Sequence, residues 1–166
     1  MSQEIFTLRI ASPLVAPSNQ KLTFHAPMSP QPADSKVHVL NYDNIHRFLD
    51  SHEEDLVLLE FYAPWCGHCQ ELAPKFRAAA SELASADLPR KVVLAKYDDG
   101  DENNRRLRAG APDVYNFTSY PSLFVVDEGE HERYGGGRES DDIVFHMSAV
   151  AKGLDPYEEV SVAELG

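Results

Sequence analysis

The chain has 166 residues, 43% apolar and 25% charged, the make-up of one ordinary domain with a core of its own. Its 27 acidic residues against 15 basic ones leave a net charge of −12, which repels phosphate backbones and anionic lipid and argues against nucleic-acid binding. No run approaches the roughly 18 apolar residues of a spanning helix, so no membrane insertion is expected, and two cysteines are too few for a disulfide scaffold.

In chain order, residues 1–35 form a Pro-rich extension or linker, with five of the eleven prolines between Pro13 and Pro32. Alternation at Phe6, Leu8 and Ile10 and at Leu22 and Phe24 suggests a short hairpin there. Met1–Gln20 lacks the basic start and apolar run of a signal peptide, and the C-terminus is not a retention tetrapeptide. The chain therefore reads either as cytosolic or as a piece of a longer, processed protein. Residues 36–153 carry regular punctuation. Val37, Val39 and Leu40 suggest a strand, and Ile45, Phe48 and Leu49 a helix capped by Asn41 or Asp43. Leu56–Tyr62 is a near-continuous apolar run, as in a strand covered on both faces. Leu72, Phe76, Ala80 and Leu83 mark a helical face, in which Pro74 is expected to introduce a kink. Val92–Tyr97 reads as a buried strand, Glu102–Arg108 as a short polar helix and Leu123–Val126 as a strand. Asp127–Glu130 reads as a turn and His131–Tyr134 as an edge strand. Ile143, Val144, Met147, Val150 and Ala151 fit a last amphipathic helix. Residues 154–166 read as an acidic tail or the start of a linker. The order β-α-β-α-β-α-β-β-α predicts an α/β sheet with helices on both faces.

The chemistry concentrates in Phe61-Tyr62-Ala63-Pro64-Trp65-Cys66-Gly67-His68-Cys69, which ends an apolar strand and opens a helix. Two cysteines at C-x-x-C spacing on a first helical turn are close enough to bond. The unsatisfied N–H groups there favour a thiolate. Cys66, nearer the helix start, is the expected nucleophile and Cys69 the resolving thiol. His68, when protonated, can stabilise the Cys66 thiolate. Zinc lacks a second ligand pair, and c-type haem requires His where Gln70 stands. Two inert core cysteines would explain neither Pro64-Trp65 nor the strand-to-helix setting. Glu60 sits in the apolar strand, where desolvation should raise its pKa and suit it to take a proton from Cys69; exposure at the strand end is the plainer reading. Lys96, late in the next strand, could pair with it.

This motif resembles that of the thioredoxin superfamily, and its Trp65-Cys66-Gly67-His68-Cys69 form resembles the catalytic a-type domains of protein disulfide isomerases. The resemblance runs from about Val37 to Lys152 and includes Leu94-Ala95-Lys96, Tyr120-Pro121-Ser122 and Tyr134-Gly135-Gly136-Gly137-Arg138. It implies a thioredoxin-like fold with a mixed central sheet, and it implies the Glu60–Lys96 pair. It further implies a cis Tyr120–Pro121 bond beside the cysteines, with neighbouring backbone that binds extended substrate. Arg138, after three glycines in a loop taken as flexible, would swing towards the site and transiently lower the pKa of Cys69. Without the resemblance, Pro121 would be a strand-start proline and Arg138 a surface arginine. Trp65, the only tryptophan, would touch unfolded substrate, pack against the domain, or do both.

The implied activity is that of a thiol-disulfide oxidoreductase and isomerase acting on unfolded or misoxidised proteins in the endoplasmic reticulum lumen. Glutathione or an upstream thiol oxidase would recharge it, and it would need no metal or organic cofactor. A cytosolic reductase is the alternative that the missing signal peptide favours and His68 opposes, since reducing members of the superfamily typically carry proline there. A client-binding module of a larger protein is the other. Three departures bear on substrate preference. Ala109–Ser119 is longer than expected, Thr118-Ser119 replaces a small basic pair, and Asn116-Phe117-Thr118 is a sequon expected to carry little glycan. The acidic pairs and runs, Asp98-Asp99 included, read as solvated faces with spacing too irregular for calcium. His25, His38, His46, His52, His131 and His146 read as structural or surface residues.

Overall fold

The computed structural model describes residues 36–157. The proposed N-terminal hairpin lies outside the described residues. Within them the elements are β1 (Val37–Leu40), α1 (Ile45–Asp50), β2 (Leu56–Tyr62), α2 (Gly67–Leu83), β3 (Val92–Asp98), α3 (Arg106–Gly110), β4 (Ser122–Asp127), β5 (Glu130–Arg133) and α4 (Ser140–Ala151), in the order expected. The five strands lie in the spatial order β1-β3-β2-β4-β5. β3 is parallel to both β1 and β2, whereas β4 is antiparallel to β2 and to β5. This is a mixed thioredoxin-like sheet.

Alternation along the central strands sorts the layers. Leu56 and Leu58 of β2, with Val92 and Leu94 of β3, pack against Leu72, Phe76 and Leu83 of α2 and Ile143 and Met147 of α4. Val57, Leu59 and Phe61, with Val93, Ala95 and Tyr97, face the opposite layer, which holds Ile45, Leu107, Tyr115 and Phe117. Both faces of β2 are covered, which is why its sequence is apolar throughout. Each of these large side chains contributes about 1.5–3 kcal/mol on burial. By the same period of two, Glu60 and Lys96 fall on the α2 face, one residue pair above Leu58 and Leu94.

Local chemistry set several boundaries differently from the pattern. The short polar helix begins at Arg106, not Glu102. Asp101 forms an Asx turn instead, its Oδ1 accepting the Asn103 N–H at 2.8 Å. Asn104 is buried as a tie: its Nδ2 donates to the Asp98 carbonyl and its Oδ1 accepts from the Tyr42 N–H, both at 2.9 Å. The residue flanking α1 is Asn44, and the expected Asn41 cap takes another form. Asn41 Oδ1 accepts from the N–H groups of Asp43 and Asn44, and its carbonyl accepts from Ile45 N–H. The edge strand starts at Glu130 because Glu128 and Gly129 both adopt positive φ, 49° and 82°, closing a two-residue hairpin. α2 runs on through Pro74. The described chain continues past residue 153: Leu154 N–H bonds the Ala149 carbonyl, and the Tyr157 hydroxyl accepts from Gly135 N–H at 3.0 Å.

Candidate active site

β2 delivers the cysteines to the end of the sheet. Cys66 caps α2, and its Sγ accepts a hydrogen bond of 3.2 Å from the Cys69 N–H. A first-turn N–H thus points at the sulfur best placed to carry charge. The two are free thiols, both buried, in a cluster with Tyr62 and Ala63 against which Tyr120 packs. Burial pushes the Cys69 thiol well above its ordinary range, and the hydrogen bond with Cys66 and the charge of Glu60 push the same way. Cys69 therefore requires a proton acceptor before it can attack.

Glu60 is 2% exposed on the face beneath α2. Burial raises its carboxyl pKa to about 7, against the opposing pull of Lys96 and Arg138. A carboxyl that titrates near neutrality can take up and release a proton under working conditions. Lys96 faces Glu60 in the β2–β3 register, but no ion pair or hydrogen bond joins them. The pairing implied by the resemblance is thus looser than a salt bridge. The Lys96 ammonium lies 5.1 Å from the Tyr62 ring centroid, where the ring face attracts it, while burial lowers its pKa and Glu60 raises it.

His68, expected to lean on Cys66, instead places its Nδ1 3.3 Å from Glu71 Oε2, with 79% of its side chain exposed. Gly67 opens onto space: a Cβ there would meet nothing within 4 Å. The Tyr120–Pro121 bond is cis. Arg138 donates from Nη2 to the Pro121 carbonyl at 3.2 Å, so its guanidinium is already anchored at this end of the sheet. The glycines before it are not slack. A Cβ on Gly135 would lie 2.7 Å from the Tyr157 hydroxyl, and those on Gly136 and Gly137 would collide with Tyr134 and Asp142. Close packing, rather than freedom to swing, accounts for glycine there.

Trp65 is 57% exposed and meets the half-buried Tyr120 edge-on at 5.8 Å. Behind Tyr120 lies a group that the sequence reading placed in solvent. Asp99 is fully buried. The reason is positional: residue 99 continues the parity of Val93, Ala95 and Tyr97, which faces the α1–α3 layer, and its N–H bonds the Tyr62 carbonyl at 2.9 Å. Asp99 Oδ2 accepts from the Tyr120 hydroxyl at 2.5 Å and from Arg108 Nη2 at 3.1 Å. That parity was the available signal; nothing in the Asp98-Asp99 pair itself distinguishes the two. Asp98 is part-buried, and desolvation raises its pKa. Among the histidines, His146 is buried between Tyr134 and Tyr157, and His131 contacts the Tyr115 hydroxyl. Among the described residues, no group of three or more His, Cys, Asp or Glu side chains is arranged to hold a metal ion. No described helix is long and apolar enough to cross a membrane.

Comparison with known proteins fits this geometry. The thioredoxin family profile matches residues 36–149. Protein disulfide isomerase-like 1-2 of Oryza sativa is 44% identical over 93 residues, covering 55% of this chain and 17% of that protein. Protein disulfide isomerase-like 1-1 of Arabidopsis thaliana is 36% identical over 137 residues, covering 76% of this chain and 26% of that protein. The chain thus spans between 17% and 26% of the length of these relatives. The first thioredoxin domain of mouse protein disulfide-isomerase A4, solved in solution, aligns with a TM-score of 0.58 at 34% identity over 76% of this chain and 84% of that one. The chain belongs to the thioredoxin family, as a thioredoxin-like domain of the protein disulfide isomerase kind.

Proposed function

We propose that this domain is a thiol-disulfide oxidoreductase that reduces, forms and rearranges disulfides in protein substrates through Cys66 and Cys69. The observation that carries the reading is the pairing of a helix-capping thiol with a buried partner thiol beside a carboxyl that titrates near neutrality. The Cys66 thiolate attacks a substrate disulfide, forming a Cys66–substrate bond and releasing one substrate thiolate. Cys69 then gives its proton to Glu60 and attacks the Cys66 sulfur. That closes the Cys66–Cys69 disulfide and releases the second substrate thiolate, so two electrons pass to the substrate. Isomerisation follows when the freed substrate thiolate attacks elsewhere before Cys69 does. The oxidised pair runs the same steps in reverse on a substrate dithiol. Glutathione disulfide or an upstream thiol oxidase would restore the oxidised form. Trp65, Tyr120 and the backbone at Pro121 are the proposed substrate contacts, and Arg138 assists Cys69 from its place on Pro121. The names of the relatives support the folding role, and an oxidising compartment such as the endoplasmic reticulum lumen suits it.

Cys66→Ala should abolish insulin reduction and the refolding of scrambled substrates, whereas full activity in that variant removes the assignment. Glutathione titration followed through Trp65 fluorescence separates the two oxidoreductase readings. A potential near about −180 mV supports an isomerase, and one near about −270 mV a thioredoxin-like reductase.

A further inference from the structure

Tyr120 stands where the cysteine cluster meets solvent. It packs against the cluster of Tyr62, Ala63, Cys66 and Cys69, and its ring meets Trp65 edge-on at 5.8 Å and Phe117 at 5.9 Å. Its hydroxyl, however, is turned inward onto Asp99 Oδ2 at 2.5 Å. Asp99 has no exposed surface, and its other oxygen has no hydrogen-bond partner. A buried carboxylate of this kind persists only because charge and hydrogen bonds compensate it. Here the compensation is Arg108 at 3.1 Å and the Tyr120 hydroxyl. Arg108 is fixed in turn by Phe117, whose carbonyl accepts from Nη1 at 3.1 Å and whose ring lies 4.6 Å below the guanidinium. The long segment between α3 and β4 thus returns to the site through Phe117. Gly100, the next residue, is seated against the motif itself: a Cβ there would lie 2.9 Å from Ala63 Cβ and 3.1 Å from Pro64 Cδ.

We propose that Asp99 and Arg108 are positioning residues for substrate selection, tying the Tyr120 hydroxyl inward so that Tyr120 and Trp65 present an apolar, ring-only wall to the residue next to the substrate cysteine. The selected class is a protein disulfide with an aliphatic or aromatic neighbour, since a wall that offers no hydroxyl does not reward a polar one. This rests on the oxidoreductase reading and goes beyond it by naming what sets preference.

The test uses the full chain and two peptides of one sequence, each closed by a disulfide, with Leu or Ser beside the attacked cysteine. The ratio of their kcat/KM values is read for wild type, Asp99→Leu, Tyr120→Phe and Asp99→Asn. A role in stability alone lowers both values together and leaves the ratio where it was. The wild type should favour the Leu peptide by about fivefold, the worth of one aromatic contact. Asp99→Leu, which frees the Tyr120 hydroxyl, should bring the ratio towards one. Tyr120→Phe, which has no hydroxyl to expose, should keep the wild-type ratio and should restore it when combined with Asp99→Leu. Asp99→Asn keeps an acceptor for the hydroxyl and should restore the preference. If Asp99→Leu does not fold, Asp99→Leu combined with Arg108→Met, which leaves no cation without its partner, decides in its place. A wild-type ratio near one, or an Asp99→Leu ratio equal to that of wild type, overturns the tie while leaving the oxidoreductase reading in place. A wild-type chain that turns over neither peptide overturns that reading and the proposal with it.

Discussion

Glu60 and Lys96 face one another across two parallel strands without forming a salt bridge: the ammonium rests against the Tyr62 ring, and the carboxyl stays buried. A contact pair would hold Glu60 ionised. At this looser distance burial outweighs the attraction, and the carboxyl titrates near about 7.

The first consequence is kinetic. Glu60→Gln removes the proposed proton acceptor and should slow the attack of Cys69 on the mixed disulfide by about a hundredfold near neutral pH. In wild type that step should accelerate as pH rises through about 7 and then level off, because Glu60 accepts a proton only once it is ionised. The variant should lack this inflection. Acid quenching followed by mass spectrometry of the mixed disulfide measures it, and identical profiles would take Glu60 out of the reaction.

The second concerns stability. The Glu60 pKa is raised from 4.5 in the unfolded chain to about 7 in the fold, so the folded state holds a proton over a range where the unfolded state has released it. The contribution from burying the neutral carboxyl is complete below about pH 4.5, declines as pH rises, and is lost above about 7. Ionised Glu60 then costs about 3 kcal/mol. Glu60→Gln should match wild type near pH 4.5 and exceed its stability by up to that amount at pH 8. Urea denaturation of the reduced proteins at the two pH values checks this. A gap that does not widen with pH would show that Glu60 is not neutral in the fold.

Two glycines of the site should respond unequally to the same substitution. Gly100→Ala forces a methyl against Ala63 and Pro64, at 2.9 and 3.1 Å, and should cost about 2 kcal/mol. Gly67→Ala places its methyl in open space on the first turn of α2 and should change stability by less than about 0.5 kcal/mol. Denaturant midpoints at unchanged slope would establish both.

Much of the site was legible because it is local in sequence. The apolar run of β2, the cysteine spacing and the strand-to-helix change lie within fourteen consecutive residues, Leu56–Cys69, and local periodicity encodes them directly. Glu60 and Lys96 could be placed on one face by counting alternate residues. Boundaries were less legible at α3, where side-chain hydrogen bonds from Asp101 and Asn104 compete with the helix.

What the sequence determined by itself, then, is the order of elements and the placing of two cysteines at the opening of a helix, read from short-range pattern; the burial of Glu60 it left open. The tertiary structure alone decided that Asp99 is core and Asp98 only part-buried, that Arg138 rests on Pro121, and that Phe117 and Arg108 stand behind Tyr120. These contacts join residues 9 to 21 positions apart, or bring a loop onto a strand end. Which oxygen a hydroxyl meets, or which ring a guanidinium covers, depends on how strands and loops are stacked in space. No period in the sequence records that stacking.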